Sequence, residues 1–187
     1  MKKKIVLSIA ISVLMLNYSC NNPVKQDADS AETTEQTATS GQSAVQDDVS
    51  AKNVVQVAIG SNDHTTLVAA VKAAELVDAL SNAGPFTVFA PTNAGFDELP
   101  AGTVDDLLKP ENKEKLQDIL QYHVSIGVYQ ADAFQDGQSL GQANGGNIKI
   151  TKKDGKIMVN GTATILASIP ASNGIVHVID KVLTQPK

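Results

Sequence analysis

The spacing of apolar and polar residues divides the chain into a helical first part and a β-rich second part. Between residues 66 and 80, apolar side chains recur at steps of three or four, which predicts one amphipathic helix with a single buried stripe. The same spacing predicts a second helix over residues 111–122. Between the two, residues 86–90 (FTVFA) are mostly aromatic or β-branched, as is typical of a strand.

Past His123, the apolar residues fall into short segments separated by Gly and Asn. Residues 148–151 and 156–159 alternate between apolar and polar, and residues 152–155 (KKDG) predict a hairpin turn between them. Residues 175–183 are predicted to form the last strand. Because helices and strands are grouped rather than alternating regularly, we expect an α+β fold.

The N-terminal residues indicate export followed by anchoring. Lysines precede an apolar run over residues 5–16, which is shorter than the roughly 20 residues that a membrane-spanning helix needs. The single cysteine, Cys20, follows the small Ser19, and this segment resembles the lipoprotein box of Bacteroidetes-like bacterial lipoproteins. The resemblance implies a lipoprotein signal peptide over residues 1–19 and lipidation of Cys20. The alternative is an ordinary secreted protein with one free thiol.

Residues 20–51 are predicted to form a flexible acidic tether. After Cys20 the segment has no Phe, Tyr, Trp, Leu, Ile or Met, and its acidic residues outnumber its lysine. Such a segment cannot bury enough apolar surface to offset its chain entropy. Random-coil scaling gives it a reach of about 30 Å. The folded domain is therefore expected over residues 52–187.

Charge and motif content argue against several classes of function. The chain has a net charge of -5 at pH 7 and lacks the clustered cations that nucleic-acid binding requires. His64, His123 and His177 lie in different predicted elements without metal-ligand spacing, and the sequence has no nucleophile elbow or phosphate-binding loop. We therefore expect no catalytic residues, metal, cofactor or nucleic-acid partner. His177 is expected to be structural, and His64 to lie in a helix cap or at the surface.

Three separated segments together form a recognisable pattern, namely residues 84–96 (GPFTVFAPTNAGF), 120–124 (LQYHV) and 173–183 (NGIVHVIDKVL). In this order they resemble the first signature block, the central Tyr-His block and the second signature block of the fasciclin (FAS1) domain family. The resemblance covers about residues 52–185, which is the whole expected domain. His64 departs from the family pattern, since members often carry there a Phe that fills the core.

The resemblance implies a FAS1 fold, in which a helical first half packs on a β-wedge of two sheets, and a role in extracellular adhesion or matrix binding. In animal members, a Tyr-His pair and nearby Asp-Ile segments have been assigned to integrin binding. The matching residues here are Asp118, Ile119, Tyr122 and His123, which form the predicted partner-binding site. A structural interpretation stays open, in which Tyr122 and His123 pin the helix end onto the strand at residues 86–90.

These expectations combine into a non-catalytic, lipid-anchored protein of the cell envelope. It would bind a surface or matrix protein or a glycan and support adhesion or biofilm contacts. The alternative is a periplasmic or outer-membrane accessory subunit that docks onto another envelope protein. The lipid would hold the exported chain on the outer membrane, facing the cell surface or the periplasm. The sequence leaves the partner, the membrane face and the oligomeric state open.

Overall fold

The computed structural model describes residues 51–185, in which a helical part is followed by a mixed β-sheet. Cys20 and nearly all of the segment before the expected domain lie outside the described residues, so the signal-peptide, tether and domain boundaries stay predictions. The helices are α1 (Val54–Ile59), α2 (Thr65–Ala73), α3 (Val77–Ser81), α4 (Asn93–Asp97), α5 (Thr103–Leu107) and α6 (Lys113–Tyr122). The strands are β1 (Phe86–Pro91), β2 (Val124–Ile126), β3 (Ser139–Gly141), β4 (Asn147–Lys153), β5 (Lys156–Val159), β6 (Ala163–Ala171) and β7 (Gly174–Ile179). The α+β class is confirmed.

The helix expected over residues 66–80 is in fact two helices, because the chain breaks between α2 and α3. Glu75 adopts a left-handed conformation at the break, with φ 57°. The carbonyl of Ala74 accepts a hydrogen bond from Gln117 Nε2 of α6 (2.8 Å). The single-helix prediction is therefore wrong, since a tertiary contact satisfies a helix-end carbonyl that a continuous helix would satisfy locally.

The helical part has its own hydrophobic cluster, which we call the helical core. The first part of the stripe expected along α2 is buried within it, and α1 contributes Val54 and Val55. A reciprocal cap, in which Asn53 and Gln56 each accept from the other's backbone amide (2.9 Å), begins α1. The buried members are Val54, Val55, Leu67, Ala70, Val71, Ala74, Ala90, Leu116, Leu120 and Val176. Since Ala90 and Val176 belong to β1 and β7, the helices pack directly on the sheet.

The seven strands follow one hydrogen-bonded order, β2-β1-β7-β6-β5-β4-β3. β1 and β7 are parallel, and the other neighbouring pairs are antiparallel. β6 pairs with β5 only at Ala163 and Thr164, and with β7 from Ile165 to Ala171. The two sheets of the expected β-wedge therefore share β6 and are continuous through it.

The strand predictions agree with the structure at the β4–β5 hairpin, but they miss two short strands and make the last strand too long. The turn between β4 and β5 has positive φ at Asp154 (52°) and Gly155 (74°), as a tight two-residue hairpin requires. The last strand ends at Ile179 instead of residue 183, and the carboxylate of the next residue, Asp180, accepts from the Thr164 amide (2.6 Å). β2 and β3, of three residues each, were not predicted.

A second hydrophobic cluster, which we call the wedge core, fills the space beneath the β part. Its buried members are Phe89, Tyr122, Phe134, Leu140, Ile148, Ile150, Val159, Ala163, Ile179 and Leu183. None of them is more than 3% exposed, so this region is packed as a protein interior usually is. Tyr122, the last residue of α6, places its side chain in the wedge core and so links the helical part to it.

Asn173, in the turn between β6 and β7, joins the helical part to the sheet. Its Nδ2 donates to the carbonyls of Leu80 and Asn82 (both 2.8 Å), and its Oδ1 accepts from the Val54 amide (2.9 Å). One side chain thus satisfies three backbone groups in two helices. The second family-like block begins at this residue, so its Asn has a structural role.

Candidate functional site

Tyr122 ends α6 with its ring inside the wedge core, where it is 1% exposed. Its hydroxyl donates to the Asn147 carbonyl (3.0 Å) and accepts from Asn160 Nδ2 (3.0 Å). Gly146 lies against the ring so closely that a Cβ at this position would be 2.9 Å from Cε2. Sequence reasoning missed these three neighbours, because they lie in turns whose contact with Tyr122 depends on the folded hairpins.

His123 caps α6 and is also buried, at 3% exposed. In the neutral ring, Nδ1–H donates to the Ile119 carbonyl (2.7 Å), and Nε2 accepts from the Leu183 amide (2.9 Å). The His123 carbonyl accepts from the Phe89 amide of β1 (2.8 Å). Burial lowers the pKa of His123 to about 4, although the Ile119 carbonyl opposes this effect. The pair therefore holds the helix end against β1, as the structural interpretation expects.

Asp118 and Ile119 are the two predicted site residues whose side chains reach the surface. Asp118 is exposed, and its carboxylate accepts from Asn144 Nδ2 (3.0 Å) and from Gln185 Nε2 (3.2 Å). Ile119 is half-buried. Partner binding by Asp118, Ile119, Tyr122 and His123 stays a prediction. Because Tyr122 and His123 are buried, their part in it would be to hold Asp118 and Ile119 in position.

All four predicted residues border one apolar groove of about 340 Å³. We call it the α5–α6 groove, because these helices form two of its walls, together with α4 and residues 182–185. Apolar residues that line it include Phe96, Leu99, Val104, Leu107, Leu108 and Leu116. The sequence has apolar residues at 104, 107 and 108 but could not show that this face stays partly uncovered, since hydrophobic spacing does not report what packs against it.

The other two histidines have structural surroundings. His177 Nε2 lies 2.7 Å from the Tyr129 carbonyl, and its Nδ1 lies 2.7 Å from Ser168 Oγ, which supports the structural role expected for it. His64 occupies the N-cap position just before α2, so the expected place at a helix cap is confirmed, although its side chain makes no cap hydrogen bond. The side chain is buried, so the alternative expectation of a surface position is wrong. Burial lowers the pKa of both imidazoles.

The described residues offer neither a cluster of metal ligands nor a membrane-spanning helix. Within residues 51–185, no group of three or more His, Cys, Asp or Glu residues is placed to hold a metal ion. No helix in this range is long and apolar enough to cross a membrane. The predicted lipidation site, Cys20, lies outside the described residues.

Comparisons with known proteins bear on the family to which the chain belongs. The family model of the fasciclin domain matches residues 62–186. Protein sll1483 of Synechocystis sp. is 52% identical over 155 residues, which are 83% of this chain and 84% of that protein. The cell surface glycolipoprotein MPB83 of Mycobacterium bovis is 38% identical over 111 residues, which are 59% of this chain and 48% of that protein.

A solved structure of a FAS1 domain pair from the insect cell adhesion molecule fasciclin I matches with a TM-score of 0.65 and 19% identity, over 73% of this chain and 52% of that one. The FAS1 fold is thereby confirmed. Together with the family model and the 52% identical relative, the fold places this chain in the fasciclin domain family. The two relatives named are cyanobacterial and mycobacterial, and a Bacteroidetes-like lipoprotein stays a prediction.

Proposed function

We propose that this chain is a non-catalytic binding protein of the cell envelope, which mediates adhesion or attaches to a surface or matrix protein or a glycan. Export would use the signal peptide of residues 1–19, and a lipid on Cys20 would anchor the chain. Residues 20–51 would separate the FAS1 domain from the membrane. The observation that carries the proposal is membership in the fasciclin domain family. The protein names support it, since one relative is a cell surface glycolipoprotein and the structural match is a cell adhesion molecule.

The state of the histidines supports a non-catalytic role. A general base needs a ring nitrogen that is free to take a proton from a substrate. Both nitrogens of His123 and of His177 already lie at hydrogen-bond distance from groups of the protein itself. Either histidine would have to leave its buried contacts before it could act in a reaction. His64 Nε2 lacks such a partner, but the residue is only 4% exposed, so a substrate cannot reach it without a rearrangement.

Attachment can be tested with a variant of the two surface residues of the predicted site. Cells would carry the wild-type chain, the double variant Asp118→Lys with Ile119→Ser, or the control double variant Asp132→Lys with Ile169→Ser. The control changes another exposed acid and an isoleucine that is exposed, whereas Ile119 is half-buried. We expect the first variant to reduce attachment to a coated surface and to neighbouring cells, and the control to behave as wild type. Unchanged attachment after deletion of the whole gene would contradict the adhesive role.

Surface exposure separates adhesion from the accessory-subunit alternative. If the domain faces outward, protease treatment of intact cells should remove it. Protection in intact cells, together with digestion after the outer membrane is opened, would favour a periplasmic subunit.

Lipidation can be tested directly at the cysteine. We expect labelled palmitate to appear in the wild-type chain and not in the Cys20→Ala variant. Equal labelling of the two chains would exclude Cys20 as the anchor. Absence of label from both would favour the secreted form with a free thiol.

A further inference from the structure

The α5–α6 groove is an apolar space that the described chain leaves unfilled. Its volume of about 340 Å³ falls within the roughly 300 to 1,000 Å³ of small-ligand pockets. α5 buries none of its residues, although Val104, Leu107 and the following Leu108 all line the groove. So short a helix is not stable by propensity alone. An apolar ligand in the groove would complete contacts that α5 lacks.

The polar groups around the groove are mostly engaged with the protein. The Tyr122 hydroxyl contacts Asn147 and Asn160, and both His123 nitrogens are bonded. Among the described residues that line the groove, the carboxylate of Asp118 is the one full charge at neutral pH, since burial keeps His123 neutral. The groove thus combines an apolar wall with one negative group at its edge.

The Asp118 carboxylate has capacity for a further donor. It accepts from Asn144 Nδ2 at one oxygen and from Gln185 Nε2 at the other (3.0 and 3.2 Å). Because a carboxylate offers about four lone-pair sites, an ammonium group can approach without displacing either amide. The side chain is exposed, so water hydrates it until a ligand binds.

We propose that the α5–α6 groove binds a small amphiphile with an apolar body and a cationic amine head. The apolar body would lie against Val104, Leu107 and Leu108, and the ammonium would contact Asp118. A fatty acid fits less well, because its carboxylate would lie beside a like charge. A sugar fits less well too, because the apolar walls would leave its hydroxyls without partners. This site goes beyond the proposed adhesive role and does not depend on it.

The proposal can be tested by NMR titration of the full chain with three probes of equal length. n-Octylamine, which is cationic at pH 7, would be compared with 1-octanol and with octanoate. We expect octylamine to bind with a dissociation constant on the order of a millimolar or tighter and to shift the methyl signals of Leu107, Leu108 and Ile119. Because Asp118 is exposed, octylamine should bind only roughly fivefold more tightly than octanoate.

Variants separate the apolar wall from the charge. Leu107→Trp fills the groove and should reduce the binding of all three probes at least roughly tenfold. Val104→Phe serves the same purpose if the first variant fails to fold, as judged from amide signals outside the groove. Asp118→Asn should remove the preference for octylamine over octanoate while 1-octanol binding persists. Ile126→Trp changes an exposed residue that does not line the groove and should alter nothing.

Three results would overturn the proposal. Equal affinity for the amine and the carboxylate would remove the role of Asp118. Undiminished binding to both groove-filling variants would move the site elsewhere. Shifts confined to Val54 and Ile59, which line a separate cavity of about 40 Å³, would show that the probes enter the helical core by another route.

Discussion

The wedge core and the α5–α6 groove lie on the two sides of one dipeptide, and they are packed in opposite ways. In the wedge core, buried side chains are at most 3% exposed, and the Tyr122 hydroxyl has two partners. At the groove, α5 buries none of its residues and leaves an apolar volume of about 340 Å³. Since Tyr122 packs in the wedge core and both Tyr122 and His123 border the groove, the family's Tyr-His pair joins a region that stabilises the fold to a region with room for a ligand.

The largest effect is expected where the packing is tightest. Tyr122→Ala should lower the free energy of unfolding by about 3 to 5 kcal/mol, as for other emptied aromatic core sites, because it leaves a cavity beneath Gly146 and frees the Asn147 carbonyl. Urea unfolding followed by circular dichroism measures the change. Tyr122→Phe is the matched control and should lose only about 1 kcal/mol, for the hydroxyl bonds.

The same variant distinguishes structure from partner binding. If Tyr122→Ala melts as the wild type does and yet abolishes attachment, the ring must contact a partner directly, and its burial here would not describe the functional state. Loss of attachment only in proportion to the loss of folded protein would support the structural role.

One substitution placed on each side makes the comparison quantitative. Leu140 lies in the wedge core at 3% exposed, whereas Leu107 lines the groove and is half-buried. Leu140→Ala should lower the free energy of unfolding by about 2 to 5 kcal/mol. Leu107→Ala should lower it by less than half as much, because fewer contacts are lost where space is already open. Equal losses in urea unfolding would mean that the groove is closed in solution.

Acid should destabilise the fold through His123. Burial lowers its pKa from 6.5 to about 4. Between these pH values, the imidazole is protonated in the unfolded chain and neutral in the folded chain. Stability from this site is complete above pH 6.5 and decreases as the pH falls towards 4, by up to about 3 kcal/mol. The buried His64 and His177 contribute with the same sign.

NMR titration of the imidazole signals checks this directly, since His123 should stay neutral at pH 5.5. A midpoint near 6.5 would contradict the burial of His123. The variant His123→Gln should flatten the dependence of unfolding free energy on pH, and this effect is separable from the carboxylates, which titrate mainly below pH 5.

Much of the fold could be predicted because its signals are local. The α6 stripe, the β4–β5 hairpin and the strand at residues 86–90 each depend on neighbours in sequence, and all three are present. The break at Glu75 could not be predicted, because the hydrogen bond that supports it comes from Gln117, which lies 43 residues from Ala74 along the chain. β2 and β3 are too short to show a period.

The candidate site was predicted in part, for a related reason. The resemblance to the family located Asp118, Ile119, Tyr122 and His123 in one segment, and the structure places them along one groove. The direction of each side chain could not be read from the segment, because the helix end turns Tyr122 inward and leaves Asp118 outside. The opposite wall, formed by α5 and residues 182–185, comes from segments far apart in sequence.

The smallest effect is expected at His64, a buried polar residue just before α2. His64 Nδ1 lies 2.8 Å from Ser61 Oγ, but Nε2 is buried without a hydrogen bond of good geometry and has only a weak contact with the Ala90 backbone. His64→Phe removes this poorly paired atom and adds apolar volume, so the free energy of unfolding should rise by about 1 kcal/mol. His64→Ala is the control and should lower it, because a cavity replaces the ring. If Phe destabilises as much as Ala does, the helical core is as tightly packed as the wedge core, and the contrast between the two regions is confined to the groove itself.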